Sequence, residues 1–226
     1  MVIKIGHRGA MGYAPENTLL SFKKALELRV DAVELDVYVC KTGELVVIHD
    51  DKVDRTTDGQ GYVIEKSLEE LKKLNAGQGE QIPLLTEVLD LVNRKAKVNI
   101  ELKGPGTASS VFELIEEYVK KKNWEYSDFL VSSFNHYELK KFNELNSNIK
   151  IGAIITGIPI GFAEFAQKVN ADSVNLCIEF ISKEFVEDAH KKGLNVFVWT
   201  VNDRDDIEKM KQLGVDGIFS NFPDRL

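Results

Sequence analysis

Apolar and polar positions alternate along this chain in two rhythms, period two and period 3.6, and the switches between them mark out short successive elements. Residues 2–7 read as an apolar strand that runs into Gly6-His7-Arg8-Gly9. Residues 19–28 follow with helical spacing behind a cap at Asn17 or Thr18. From Ala32 the period is two, so Glu34 and Asp36 share one face of a strand while Val33, Leu35 and Val37 take the other. Thr42-Gly43 offers a two-residue turn into residues 44–48, and a hairpin about that turn sets His49 opposite Asp36. Residues 55–61 read as loop, and Ser67-Leu68-Glu69-Glu70 as a capping box opening a short helix. Helices are then predicted at 84–94, 109–122, 136–145, 160–169, 183–191 and 203–213. Between them fall strands at 97–102, 129–133, 150–155, 173–176, 195–201 and 216–220.

Without the second arm of the hairpin the pattern holds eight strands, each but the last followed by a helix, and eight is the number that closes a β/α barrel. Parallel neighbours need a crossover of about a dozen residues. The four between Val39 and Glu44 cannot supply it, so the arm at 44–48 is antiparallel and extra. The expected fold is a single TIM-like (β/α)8 barrel over residues 1–226, with an extra hairpin strand and a small insertion at about 51–81 after the second strand. An open doubly wound sheet is the alternative, and it lacks a Gly-rich dinucleotide turn after the first strand.

Composition narrows the classes of function. A chain of 226 residues, 43% hydrophobic and 29% charged, suits a soluble protein with one large core, and no apolar run approaches a membrane span. The N-terminus enters a strand without the features of a secretory signal, so a cytoplasmic protein is expected. Cys40 and Cys177 lie far apart and suggest neither a disulfide framework nor a zinc site. A net charge of −7 argues against a nucleic-acid partner. No basic amphipathic helix or apolar anchor for stable membrane association is legible. The oligomeric state stays open, with a homo-oligomer among the options.

In a barrel the chemistry sits at the C-terminal ends of the strands. Those predicted ends supply His7 and Arg8, Glu34 and Asp36, His49, Glu101 and Lys103, Ser133, and Trp199 with Thr200. Three converging carboxylates without Cys fit one hard divalent cation, Mg²⁺ or Ca²⁺, which offsets a repulsion that is otherwise costly. Two imidazoles beside such a cation suit phosphodiester cleavage. One takes a proton from the attacking oxygen and the other protonates the leaving oxygen, while Arg8 and Lys103 hold the phosphoryl charge. Each feature also has a plainer reading: a solvated hairpin face, hydrogen-bonded structural imidazoles, and salt bridges from the two cations to the nearby acids. His136 and His190 fall on helices and read as surface.

The set His7-Arg8-Gly9, Pro15-Glu16-Asn17-Thr18, Glu34-Leu35-Asp36-Val37, His49-Asp50, Arg55-Thr56-Thr57 with Gly59 and Gly61, Glu101-Leu102-Lys103, and Trp199-Thr200-Val201-Asn202 resembles the glycerophosphodiester phosphodiesterase family. The motifs occur in order and nearly end to end. The resemblance implies a β/α barrel with a small insertion, and a divalent metal on Glu34, Asp36 and Glu101. It implies His7 and His49 as catalytic acid and base, Arg8 and Lys103 on the phosphate, and Trp199 lining the glycerol pocket, where a core aromatic is the alternative. The implied partner is a small-molecule phosphodiester such as glycerophosphocholine or glycerophosphoethanolamine, hydrolysed to glycerol 3-phosphate and an alcohol. A catalytically silent glycerol-phosphate-binding barrel and a lysophospholipid-cleaving relative are the competing readings. The intact histidines and acids speak against the first. At Ser220-Asn221-Phe222-Pro223 the chain departs from a family pattern that often has an acid before the aromatic and proline, a departure expected to touch only a peripheral contact.

Overall fold

A computed structural model describes residues 2–226. In chain order its elements are β1 (Ile3–Gly6), α1 (Leu19–Glu27), β2 (Ala32–Val39), β3 (Leu45–Val47), α2 (Leu68–Leu71), α3 (Leu85–Val92), β4 (Lys97–Leu102), α4 (Thr107–Lys121), β5 (Phe129–Ser133), α5 (His136–Leu145), β6 (Lys150–Ile155), α6 (Glu164–Gln167), β7 (Ser173–Cys177), α7 (Lys183–Lys191), β8 (Asn195–Trp199), α8 (Arg204–Leu213) and β9 (Gly217–Ser220). β1 pairs in parallel with both β2 and β9, so eight parallel strands close into a ring with β3 bonded outside it. That is the expected barrel, and the open sheet is excluded.

The apolar face of each strand meets the apolar stripe of the surrounding helices. On β2, Val33, Leu35 and Val37 are fully buried, and α3 buries Leu85, Val88, Leu89 and Val92 at helical spacing in the same cluster. Inside the barrel a smaller cluster of Ile5, Ala32, Phe197 and Phe219 forms an apolar plug. The space between that plug and the C-terminal rim is left to polar side chains.

β3 occupies the upper edge of β2, which is free because β1 ends its pairing at Gly6 and Val33. Its register differs by one residue from the predicted hairpin. Val37 faces Val47 and Tyr38 faces Val46, and the Ile48 N–H donates to the Asp36 carbonyl, so Ile48 stands where His49 was expected. The turn is the cause: Cys40 bonds to Glu44 around residues 41–43, with Gly43 at φ +100°, a three-residue loop rather than a two-residue one. His49 reaches the rim because the chain turns off β3 after Val47. Val53, Val63 and Leu71 of the insertion pack with Val46 and Ile48 of the hairpin and with Ile82 in a second apolar core, and the Ser67 capping box forms as read.

The helix predicted at 160–169 contracts to the single turn of α6. Gly161 and Phe162 both take left-handed φ, +83° and +47°, and hold the preceding residues in a loop. Thr18, rather than Asn17, caps α1. Both cysteines are free and buried, and among the described residues no helix is long and apolar enough to cross a membrane.

The turn from β1 to α1 carries the first of the rim residues and leaves no room for a side chain at Gly9. At φ +85°, a Cβ there would lie 2.5 Å from Ser21 Oγ and 2.6 Å from the Ser21 carbonyl carbon. Gly9→Ala is expected to cost about 2–4 kcal/mol through left-handed strain and overpacking together. A urea midpoint equal to that of the wild type at unchanged m-value would contradict this role.

Candidate active site

β2 and β4 are neighbours in a register that sets Asp36 beside Glu101 and Glu34 beside Asn99. Inward alternation then brings Glu34, Asp36 and Glu101 together, each offering an oxygen within 4.8 Å of the others. They are 3%, 1% and 9% exposed. Burial first, and then the charge of Asp36, push the carboxyls of Glu34 and Glu101 above the ordinary carboxylate range. Partial compensation comes from Lys103, whose Nζ lies 2.8 Å from Glu101 Oε1 and 3.8 Å from Asp36 Oδ1. The Arg8 backbone N–H donates to Glu34 Oε2 at 2.8 Å, and Asn17 Nδ2 donates to Asp36 Oδ2 at 2.9 Å. This all-oxygen, sulfur-free cluster, crowded enough to retain protons, fits a hard divalent cation, whose charge reverses the upward shift.

The two histidines are held from behind by different groups. His7 Nδ1 lies 2.7 Å from Asn221 Oδ1, an acceptor, so Nδ1 carries the proton and Nε2 keeps its lone pair. Asn221 is itself fixed by its N–H donating to Asn202 Oδ1 at 2.9 Å. Burial, then the neighbouring Arg8 charge, lower the His7 imidazole to about 4. Behind His49 stands a carboxylate, with Nδ1 2.6 Å from Asp50 Oδ1. Arg55 grips Asp50 at 2.6 and 3.0 Å and Glu16 at 2.8 Å twice, and Glu16 in turn accepts from Arg8 at 2.7 Å. Arg55 holds the Asp50 carboxyl well below the usual range. His49 Nε2 is 3.2 Å from Lys103 Nζ.

His7, Arg8, Glu34, His49, Glu101 and Lys103 border one cavity of 270 Å³, with Phe134 and Trp199 on its apolar side. Trp199 donates from Nε1 to the Asn175 carbonyl at 3.1 Å and meets Phe134 edge to face, with ring centroids 5.6 Å apart. Ser133 does not join the rim. Its Oγ donates to the Leu102 carbonyl and accepts from the Asn135 N–H, stapling the loop after β5. His136 bonds the Ile154 carbonyl and stacks on Phe165, and His190 pairs with Asp216; neither histidine lines the cavity. The first turn of α5 exposes Tyr137, and the loop after β6 exposes Ile158 and Ile160.

The sequence offers Asn17 only as a helix cap and Asn221 as a peripheral contact, and the structure corrects both: Asn17 holds Asp36 and Asn221 holds His7. Asn221 stands behind the ring, where an acid would change its charge. Asn17 had one usable signal, its place in the Pro-Glu-Asn-Thr motif. Phe134 gave none, since it follows the last residue of β5.

The barrel and this rim define a β/α-barrel phosphodiesterase. The chain belongs to the glycerophosphoryl diester phosphodiesterase family, whose family model matches residues 7–225. It is 41% identical to a glycerophosphodiester phosphodiesterase of Caldanaerobacter subterraneus subsp. tengcongensis, over 98% of this chain and 95% of that one. Among solved structures it superposes on an Oleispira antarctica phosphodiesterase in complex with the product sn-glycerol-3-phosphate, with TM-score 0.90 and 33% identity, covering 98% of this chain and 93% of that one. A glycerophosphodiester phosphodiesterase of Thermotoga maritima matches with TM-score 0.81 and 29% identity, over 99% and 96% of the two chains.

Proposed function

We propose that this enzyme hydrolyses glycerophosphodiesters such as glycerophosphocholine or glycerophosphoethanolamine to glycerol 3-phosphate and an alcohol, with His7 as general base, His49 as general acid and one divalent cation, Mg²⁺ or Ca²⁺. The observation that carries this reading is that two imidazoles, each anchored through Nδ1, border the same cavity as Glu34 and Glu101 of the buried carboxylate trio. The product held by the Oleispira antarctica relative supports the substrate class.

Glu34, Asp36 and Glu101 would hold the cation, which when bound supplies positive charge for the phosphoryl oxygens. Arg8 and Lys103 add charge from the protein side, and Arg8 Nε, buried without a hydrogen-bond partner, has a donor to give. His7 Nε2 accepts the proton of the attacking oxygen, which belongs either to the neighbouring substrate hydroxyl or to water. Asn221 keeps its tautomer correct for that step. His49 Nε2 protonates the leaving oxygen, and Asp50, clamped by Arg55, orients that ring through Nδ1. Trp199 and Phe134 wall the organic part of the substrate.

Protein stripped with chelator, dialysed and given Mg²⁺ or Ca²⁺ is expected to release choline and glycerol 3-phosphate from glycerophosphocholine. Phosphocholine as the product, or no turnover with either ion, overturns the reading. The base role carries its own pH test. His7 must be neutral to accept a proton, so a carboxylate behind it raises the pH at which activity is lost on the acid side. Asn221→Asp is expected to move the acid limb of kcat/KM up by about one pH unit. A limb that stays in place assigns it to another group.

Exposed Phe134, Tyr137, Ile158 and Ile160, on the segments that follow β5 and β6, favour a second reading, in which the organic part is a lysophospholipid carrying an acyl chain. Co-sedimentation with phospholipid vesicles tests it, and full recovery in the supernatant removes it.

A further inference from the structure

Below the carboxylates the barrel interior stays polar for one more layer. Inward alternation places Asn99 on β4, two residues before Glu101, with Ser132 on β5 and both Ser173 and Asn175 on β7. Asn99 and Asn175 are 2% and 1% exposed. Asn99 Nδ2 donates to Ser132 Oγ at 3.0 Å, and Asn175 Oδ1 accepts from Ser173 Oγ at 3.0 Å. The far end of each amide has no partner: an acceptor in Asn99 Oδ1, a donor in Asn175 Nδ2. Both residues line the same cavity as His7, His49 and Glu101. Between their strands, Gly152 of β6 keeps the space open, since a Cβ there would stand 2.8 Å from Ser173 Oγ and 3.0 Å from Asn175 Oδ1.

Leaving a buried amide group unpaired costs about 1–3 kcal/mol, and here it occurs twice in the wall of one cavity. Folding does not demand it, because the apolar plug of Ile5, Phe197 and Phe219 would accept apolar neighbours. An unmet acceptor and an unmet donor on one cavity are the complement of a hydroxyl group, which donates through its proton and accepts through its oxygen.

We propose that this layer is a subsite for the terminal hydroxyl of the substrate's glycerol arm, with Asn99 Oδ1 accepting from it and Asn175 Nδ2 donating to it. The inference rests on the hydrolytic reading above. Two residues of β4 separate Asn99 from Glu101, about 6–7 Å along the strand, which suits the reach of a three-carbon polyol from a phosphate held at the carboxylate level. The other arm does not fit. Choline has no proton to give Asn99, and an ethanolamine ammonium has no lone pair to give Asn175. The glycerol arm therefore points down the barrel, and the alcohol leaves past Phe134 at the open mouth.

The test compares glycerophosphocholine with the analogue lacking only the terminal hydroxyl, propane-1,2-diol phosphocholine, which keeps the neighbouring hydroxyl. Wild-type kcat/KM is expected to favour the parent by about 10- to 100-fold, and Asn99→Leu and Asn175→Leu to shrink that ratio to about 3-fold or less through loss on the parent alone. Asn175→Ala serves if the leucine variants fail to fold. Thermal shift with glycerol 3-phosphate against propane-1,2-diol 1-phosphate repeats the comparison without turnover. No discrimination in the wild type, or equal discrimination in wild type and variants, overturns the subsite and leaves the layer as a place for bound water. Absence of turnover on both diesters strikes the hydrolytic reading instead, and the thermal shift still decides the subsite.

Discussion

Glu34→Gln and Glu101→Gln are each expected to weaken divalent-cation binding by more than the roughly 10–100-fold that outer-sphere changes cost, and to lose activity in step. Each exchange removes an anionic oxygen from a set of three, while the shape of the side chain is kept. Burial and the Asp36 charge already raise both carboxyls, so the neutral amide resembles a state the cation-free protein favours, and folding is retained. Titration calorimetry with Mg²⁺ and Ca²⁺ reads the affinity, and added cation should raise the Tm of the wild type but not of the variants. Unchanged affinity in both variants removes these residues from the ligand set. Full turnover in EDTA after exhaustive dialysis sinks the metal mechanism altogether.

Replacing His7 or His49 by Ala is expected to lower turnover on glycerophosphocholine by about 10²- to 10⁴-fold. The groups behind the rings then make the two variants distinguishable. With Asn221 behind it, His7 is neutral and ready to accept; Asp50 behind His49 orients that ring through Nδ1. A nitrophenyl leaving group needs little protonation, so the His49 variant is expected to recover most of its loss on a nitrophenyl diester while the His7 variant does not. Equal losses on both substrates, or losses that follow a fall in Tm, contradict the assignment of roles.

What was legible beforehand follows from what a strand repeats locally. Glu34 and Asp36 were visible because period-two alternation survives in any strand, and eight repeats of strand and helix leave few other closures. The hairpin register was not visible, because Lys41-Thr42-Gly43 serves a two-residue or a three-residue turn, and only the Cys40 to Glu44 bonding decides. Phe162, Phe165, Ala166 and Val169 have helical spacing, yet only one turn forms, because the left-handed Gly161 and Phe162 hold the residues before it in a loop. Asn221 was misjudged for a different reason. It lies 214 residues from His7 in the chain, and the closure of β9 on β1, with Gly6 beside Ser220, makes them neighbours. Asn99 and Asn175 look like any polar residue inside a strand until the closed ring shows that both lie beneath the carboxylates.

The most direct measurement is a crystal structure of the protein with a divalent cation and glycerol 3-phosphate bound. The account predicts the cation on Glu34, Asp36 and Glu101, and the phosphate between His7 Nε2 and His49 Nε2 within reach of Arg8 and Lys103. A cation held elsewhere, or a phosphate bound outside the cavity that the two imidazoles share, would contradict it.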